Sequence, residues 1–231
     1  MRTRFQQGLD ELKERLLEMG GLAESAIELA SESLRKRDGR IAQEVFEREK
    51  LINESQRAID EMGVDLLAMQ QPMATDLRFV LAVLKINSDL ERVGDLAVNI
   101  AQRSLNVAQE QELVIPVDIA RMTTAVSTMV RRALESFLSA KSDVAQAVLQ
   151  MDSIVDRMKD EAFITLVAQM KKDPERIRIY MDVLLITRSL ERIADHATNI
   201  AEDVIFWVNG TDVRHNSRVA TEPDSDRPAS Q

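Results

Sequence analysis

Apolar residues recur at three- and four-residue intervals along nearly the whole chain, and this period predicts helices and no strands. The first helix spans residues 4–36, where Phe5, Leu9, Leu12, Leu16, Met19, Ala23, Ala26, Ala30 and Leu34 form a seam like that of a coiled coil. Gly20-Gly21 in its middle suits a kink or a close helix contact, and Asp38-Gly39 supplies turn chemistry at its end. The second helix covers 40–70, with Ile41, Val45, Ile52, Ile59, Met62, Leu66 and Met69 on its stripe and Gln71-Pro72 closing it. A third is predicted over 75–110 with Thr75 or Asp76 as its N-cap, a fourth over 117–140 and a fifth over 142–172. Lys171-Lys172-Asp173-Pro174 makes the next turn, with Asp173 as N-cap, and a sixth helix runs to Val208 before Asn209-Gly210 stops it. Helices of about 30 residues are roughly 45 Å long. Short links between them predict antiparallel neighbours.

Superimposed on this period is a longer one. Residues 90–101 read L-E-R-V-G-D-L-A-V-N-I-A and residues 190–201 read L-E-R-I-A-D-H-A-T-N-I-A. Positions 76–101 match 176–201 at 12 of 26 places. A period of this length means duplication of a whole helical unit. The predicted architecture is all-α: two pseudo-symmetric, antiparallel three-helix bundles, residues 1–112 and 113–210, followed by a disordered tail at 211–231 that is rich in Ser, Asp, Arg, Thr and Pro.

On a helical wheel, Val83, Ile86, Leu90, Val93, Ala97 and Ile100 share one side of the third helix, while Glu91, Asp95 and Asn99 fall opposite, in line with Leu77, Leu81 and Leu84. Like charges at i,i+4 oppose a helix by roughly 0.2–0.5 kcal/mol per pair. Keeping such a pair at equivalent places in both repeats calls for a counter-charge. The second helix of each half adds a matching pair, Glu49/Asn53 and Asp152/Asp156. Unit one thus offers Glu49, Asn53, Glu91, Asp95 and Asn99. Unit two offers Asp152, Asp156, Glu191, Asp195 and Asn199, with Glu202 and Asp203 one turn later. If the helices lie side by side, these oxygens suit hard or borderline cations such as Mg²⁺, Mn²⁺, Ca²⁺ or iron, and a multinuclear cluster is chemically reasonable. For any single pair, a solvated acidic face is the plainer reading. Duplication and the matched neighbours favour metal. Glu91 and Glu191 lack the histidine at i+3 that marks carboxylate-bridged di-iron bundles, so the expected site is a groove or surface rather than a buried catalytic centre. His196 is read as a surface or packing residue, and His215 as part of the tail. Arg92 and Arg192 are read as salt-bridge partners, and Arg78 and Arg178 as matched arginines at two helix starts.

Composition narrows the field. Hydrophobic residues make up 45% of the chain and aromatics only 3%, as in helix bundles rather than β-sandwiches. A net charge of −9 argues against nucleic-acid binding and against general adhesion to anionic lipid. The absence of cysteine excludes disulfides, thiolate zinc and iron–sulfur clusters, and fits a reducing cytoplasm. No apolar leader and no long apolar run is present, so a soluble, cytoplasmic protein is expected, reaching a membrane only through partners. No nucleophile–base pair or phosphate-binding glycine loop occurs, so no enzymatic activity is expected.

The paired L-E-R-[VI]-[GA]-D-x-x-x-N-I-A motifs resemble the PhoU family. Met19-Gly20-Gly21, the run Gln71-Pro72-Met73-Ala74-Thr75-Asp76-Leu77-Arg78, Arg188-Ser189-Leu190, and the end from Val208-Asn209-Gly210 to Arg214-His215 resemble it too. The likeness covers about residues 5–215. It implies a non-enzymatic accessory protein of the phosphate-specific ABC transporter that represses phosphate uptake and the phosphate-starvation response. It further implies contact with the transporter's ATPase subunit and with a sensor histidine kinase, a homodimer, and iron, zinc, manganese or magnesium held by the acidic residues named above. Two departures stand out: Asn53 lacks the charge of its counterparts, and Ala194 stands where the first copy has Gly94. The alternative is a carboxylate-rich metal-buffering helical protein.

Overall fold

The computed structural model describes residues 4–70, 72–110, 114–211 and 213. Within them lie six long α-helices: α1 (Arg4–Lys36), α2 (Gly39–Gln70), α3 (Ala74–Val107), α4 (Ile119–Ser139), α5 (Ser142–Lys172) and α6 (Ile177–Asn209). A 3-10 turn at Pro174–Arg176 leads into α6. Helices α1–α3 pack on one another pairwise, as do α4–α6. The two bundles join where α3 lies against α6 and α1 against α4. The boundary expected at 112/113 and nearly all of the expected tail fall outside the described residues. Among the described residues no helix is long and apolar enough to cross a membrane.

Most of the predicted seam positions lie in the observed core, though on α2 Ala42 rather than Ile41 is buried and Met62 is only partly so. Leu12, Leu16, Met19, Ala23, Ala26 and Ala30 of α1 are fully buried, as are Met122, Val126, Met129 and Ala133 at the matching places of α4. Each buried Leu, Ile or Met side chain stabilises the fold by about 1.5–3 kcal/mol relative to an exposed one. The buried residues form one continuous cluster through both bundles. Gly20 marks a close approach: a Cβ there would stand 2.6 Å from Leu134 Cδ1, so α1 and α4 meet at the bare backbone. An aromatic group of Phe79, Phe137 and Trp207, with ring centroids 5.1–5.8 Å apart, closes one end of the join.

Helix ends differ in detail from the sequence expectation. Arg37 (φ 52°), not Gly39, takes the left-handed conformation after α1, and the Asp38 N–H reaches back to Ser33 O at 3.2 Å. Helix α3 starts one residue early, with Met73 at the N-cap and no side-chain cap bond. Thr75 and Asp76 therefore lie inside the first turn, where the Asp76 charge complements the helix dipole. Asp173 does not cap backbone either: its carboxylate accepts from Arg176 Nη1 at 3.3 Å. Gly210 (φ 71°) ends α6 as expected, its N–H donating to Phe206 O at 2.8 Å.

Candidate functional site

Antiparallel packing brings the paired oxygen residues together. Helices α2 and α3 run in opposite directions, so Ile52 meets Gly94, and Gly63 meets Leu84. Glu49 and Asn53 on α2 then flank Glu91 and Asp95 on α3. Asn53 Nδ2 donates to Glu49 Oε1, and the buried Asn53 Oδ1 accepts no hydrogen bond. Arg92 reaches Glu91 at 3.4 Å and Asp95 at 3.1 Å, so it serves its own helix rather than a neighbour. Burial raises the Glu91 pKa above the ordinary carboxylate value, with the Asp95 charge adding to it. Arg92 opposes this, Glu49 raises it a little more, and His196 opposes it slightly.

Unit two is built the same way from α5 and α6. Asp152 and Asp156 face Glu191 and Asp195, and here a cation of the chain bridges the two helices. Lys159 Nζ lies 3.0 Å from Glu191 Oε1 and 3.3 Å from Asp156 Oδ1. The hydrogen bond to Glu191 raises the lysine's own pKa. Asp152 is raised by burial and then by Asp156 and Glu191. Asp195 is pushed up to about 6, first by burial and then by Glu191, Asp152 and Asp156. Lysine at this place has no counterpart in unit one. The spacing that relates Glu49 to Asp152 relates Lys159 to Gln56.

The two asparagines expected to complete the sites differ in their surroundings. Asn99 is exposed. Asn199 turns to the join between bundles and donates to Asp89 Oδ1 at 3.2 Å. His196, expected as a surface or packing residue, packs in that same join, its Nδ1 2.7 Å from Asp89 Oδ1. Asp203 is likewise taken up there, 3.0 Å from Lys85 Nζ, and Glu202 lines the same cleft of about 330 Å³ with Lys85, Ser88 and Asp89. A larger cleft, about 530 Å³, lies between the start of α1 and the end of α2 near Phe5, Arg15, Glu61 and Leu66, away from both acidic clusters.

Carboxylate and amide oxygens are the donors that hard cations take. The orphaned Asn53 Oδ1 and the raised carboxyl groups fit that chemistry. Among the described residues, however, no three His, Asp or Glu side chains converge as a preassembled metal site. Gly94 and Ala194 also find their reason here. A Cβ on Gly94 would stand 3.0 Å from Ile52 Cδ1. In unit two the equivalent pair is Ala194 and Val155, both buried, so the carbon added on α6 is removed from α5.

The fold and these clusters define a tandem protein of two three-helix repeats, each with a carboxylate groove between its second and third helices. The PhoU domain matches the chain twice, at residues 16–104 and 119–204, and the protein belongs to that family. The phosphate-specific transport system accessory protein PhoU homolog of Pseudomonas putida is 42% identical over 212 residues, 91% of this chain and 83% of its own. The homolog from Pseudomonas aeruginosa is 41% identical, covering 91% and 88%. The crystal structure of PhoU from Pseudomonas aeruginosa superposes with a TM-score of 0.86 at 39% identity, covering 90% of this chain and all of that one. The phosphate transport system regulatory protein PhoU from Streptococcus pneumoniae gives 0.84 at 29% identity, covering 91% and 99%.

Proposed function

We propose that this protein is the regulatory accessory subunit of a phosphate-specific transport system. In this reading it restrains phosphate uptake and the phosphate-starvation response when phosphate is plentiful. The observation that carries the reading is the match in both repeats and over 91% of the chain to relatives bearing that name. The role is one of contact rather than catalysis. The protein works as a cytoplasmic homodimer that meets the transporter's ATPase subunit and a sensor histidine kinase, and it reaches the membrane only through them. The test is a phosphate-starvation reporter in a strain lacking the gene, grown in excess phosphate. The reporter switches on in this reading; a reporter as silent as in the parent strain contradicts it.

A second reading concerns the grooves and is supported by the raised carboxyl groups. Burial and mutual repulsion hold Asp195 at about 6 and raise Glu91 and Asp152, and a bound cation would relieve that repulsion. Glu49, Asn53, Glu91 and Asp95 would hold it in unit one, and Asp152, Asp156, Glu191 and Asp195 in unit two. Bound there, a divalent ion supplies positive charge between two helices. Calorimetric titration with Mn²⁺ tests this. The Glu191→Ala/Asp195→Ala double variant loses uptake at unit two and keeps its helicity by circular dichroism. Lost helicity would make the acids structural, and wild-type protein that takes up no Mn²⁺ would end the reading.

A further inference from the structure

The contact between the two bundles carries charge of opposite sign on its two sides. On α3 the charged groups at its edges are basic, Lys85 and Arg103. On α6 they are acidic, Asp203 and Asp182. Lys85 meets Asp203 at 3.0 Å and Arg103 meets Asp182 at 3.0 Å, while Asn106 Nδ2 adds a bond to Asp182 at 3.2 Å. Both aspartates are nearly fully buried, Asp203 at 5% exposed and Asp182 at 6%. Between the two ion pairs, Asp89 meets His196 at 2.7 Å.

The repeat makes this arrangement informative. Helices α3 and α6 are equivalent at an offset of 100 residues, and the bundles meet through equivalent helices. A bundle could therefore pair with a copy of itself through the same backbone geometry. In an α3–α3 contact, the place of Asp203 is taken by Arg103, so Lys85 of one copy would face Arg103 of the other, twice. In an α6–α6 contact, the place of Arg103 is taken by Asp203, so Asp182 would face Asp203, twice. The central pair is lost as well, because Leu96 stands at the place of His196 and Ser189 at the place of Asp89. The α1–α4 contact follows the same rule. Arg131 reaches Glu24 at 3.1 Å and Glu28 at 3.7 Å, and Arg131 itself stands where α1 carries Glu28. An α1–α1 contact would set Glu24 against Glu28. The cost of wrong pairing is greatest for an α6–α6 contact, where the buried Asp182 and Asp203 would face one another, and smaller for the partly exposed basic and glutamate pairs.

We infer that the α3–α6 join is a recognition surface that accepts the unlike bundle of this chain and rejects the same bundle of a second copy. This makes each repeat pair with the unlike repeat and bars pairing between two first repeats or two second repeats. The code can be rewritten without changing net charge. The double variant Lys85→Asp/Asp182→Lys sets the new aspartate on α3 against Asp203, and the new lysine on α6 against Arg103, in the native join. It also makes both self-pairings complementary. The quadruple variant Lys85→Asp/Arg103→Asp/Asp182→Lys/Asp203→Lys carries the same two changes plus two more, and restores opposite signs across the native join.

Light scattering on the full-length protein reads the outcome. The double variant leaves the wild-type mass for species of twice that mass or more, with helicity kept, and its melting temperature falls. The quadruple variant returns to the wild-type mass and melting behaviour. A double variant that keeps the wild-type mass and melting temperature overturns the inference. So does a quadruple variant as disturbed as the double, because the identity of the residues rather than the pairing of sign would then matter. If the double variant precipitates, recovery of wild-type mass by the quadruple supports the inference, and its failure to recover overturns it.

Discussion

The two carboxylate grooves share a plan and differ in their counter-charge. In unit two, Lys159 crosses from α5 to Glu191 on α6 and ties the two helices together, with its side chain 30% exposed and that of Glu191 19%. In unit one, Gln56 stands at that place, and the cation is Arg92, on the same helix as the acids and 58% exposed. A cross-helix pair in a partly buried groove holds packing in place, whereas an exposed i,i+3 pair adds little. Instead, α2 is joined to α3 by Asn87, fully buried, which donates to Gln56 O at 3.0 Å and Asp60 Oδ1 at 2.8 Å. Both copies keep acids at three of the four places, with Asn53 at the place of Asp156, and each has its own way of holding two helices around them.

The largest test of this comparison makes unit two resemble unit one. Lys159→Gln leaves Glu191 and Asp156 without their shared partner and should cost about 1–3 kcal/mol in urea denaturation at neutral pH. Arg92→Ala should cost less than about 0.5 kcal/mol, as surface pairs do. Equal losses would mean that the two counter-charges are interchangeable.

A smaller effect follows from Asp195, whose pKa in the folded protein is about 6 against an ordinary 3.8. The folded state keeps this proton longer than the unfolded chain does. Its contribution to stability is therefore fully present below about pH 4 and lost as the pH rises through about 6. Asp195→Asn should remove that stretch of pH dependence. At pH 7 it should stabilise the protein by about 1 kcal/mol, less than the full shift implies, because the carboxylate is only partly buried and solvent screens its exposed side. Denaturation midpoints for both proteins from pH 4 to 7 check it. Parallel profiles would mean that like charges do not crowd one another in unit two.

The smallest expected effect concerns the helix spacing beneath the clusters. Gly94→Ala crowds Ile52 and should cost about 1 kcal/mol or less, and Gly94→Ala/Ile52→Val should recover most of it. The pair would then reproduce the Ala194 and Val155 of unit two. A double variant no better than the single would show that the two grooves are not built to one spacing.

Much of this molecule was legible in the pattern of its residues. The seam through Leu12, Leu16, Met19, Ala23 and Ala26 is strictly periodic, and it lies in the core. The paired acids could be assigned to facing helices because short links force antiparallel neighbours. Two things were not legible there. Lys159 is a single difference between repeats, and the features that the repeats share do not reveal it. The partners of Lys85, Arg103 and His196 lie 79–118 residues away on the other bundle, and helical period carries no information about such contacts. One sign of them was available: Asp203 stands where the first copy has Arg103, a reversal of charge at an otherwise matched place.

The most direct test of the regulatory role is the rate of radiolabelled phosphate uptake in excess phosphate, compared between the parent strain, a strain lacking this gene, and that strain with the gene restored. Uptake should stay high without the gene and fall again when it is restored. Uptake shut off equally in all three strains would contradict the regulatory role.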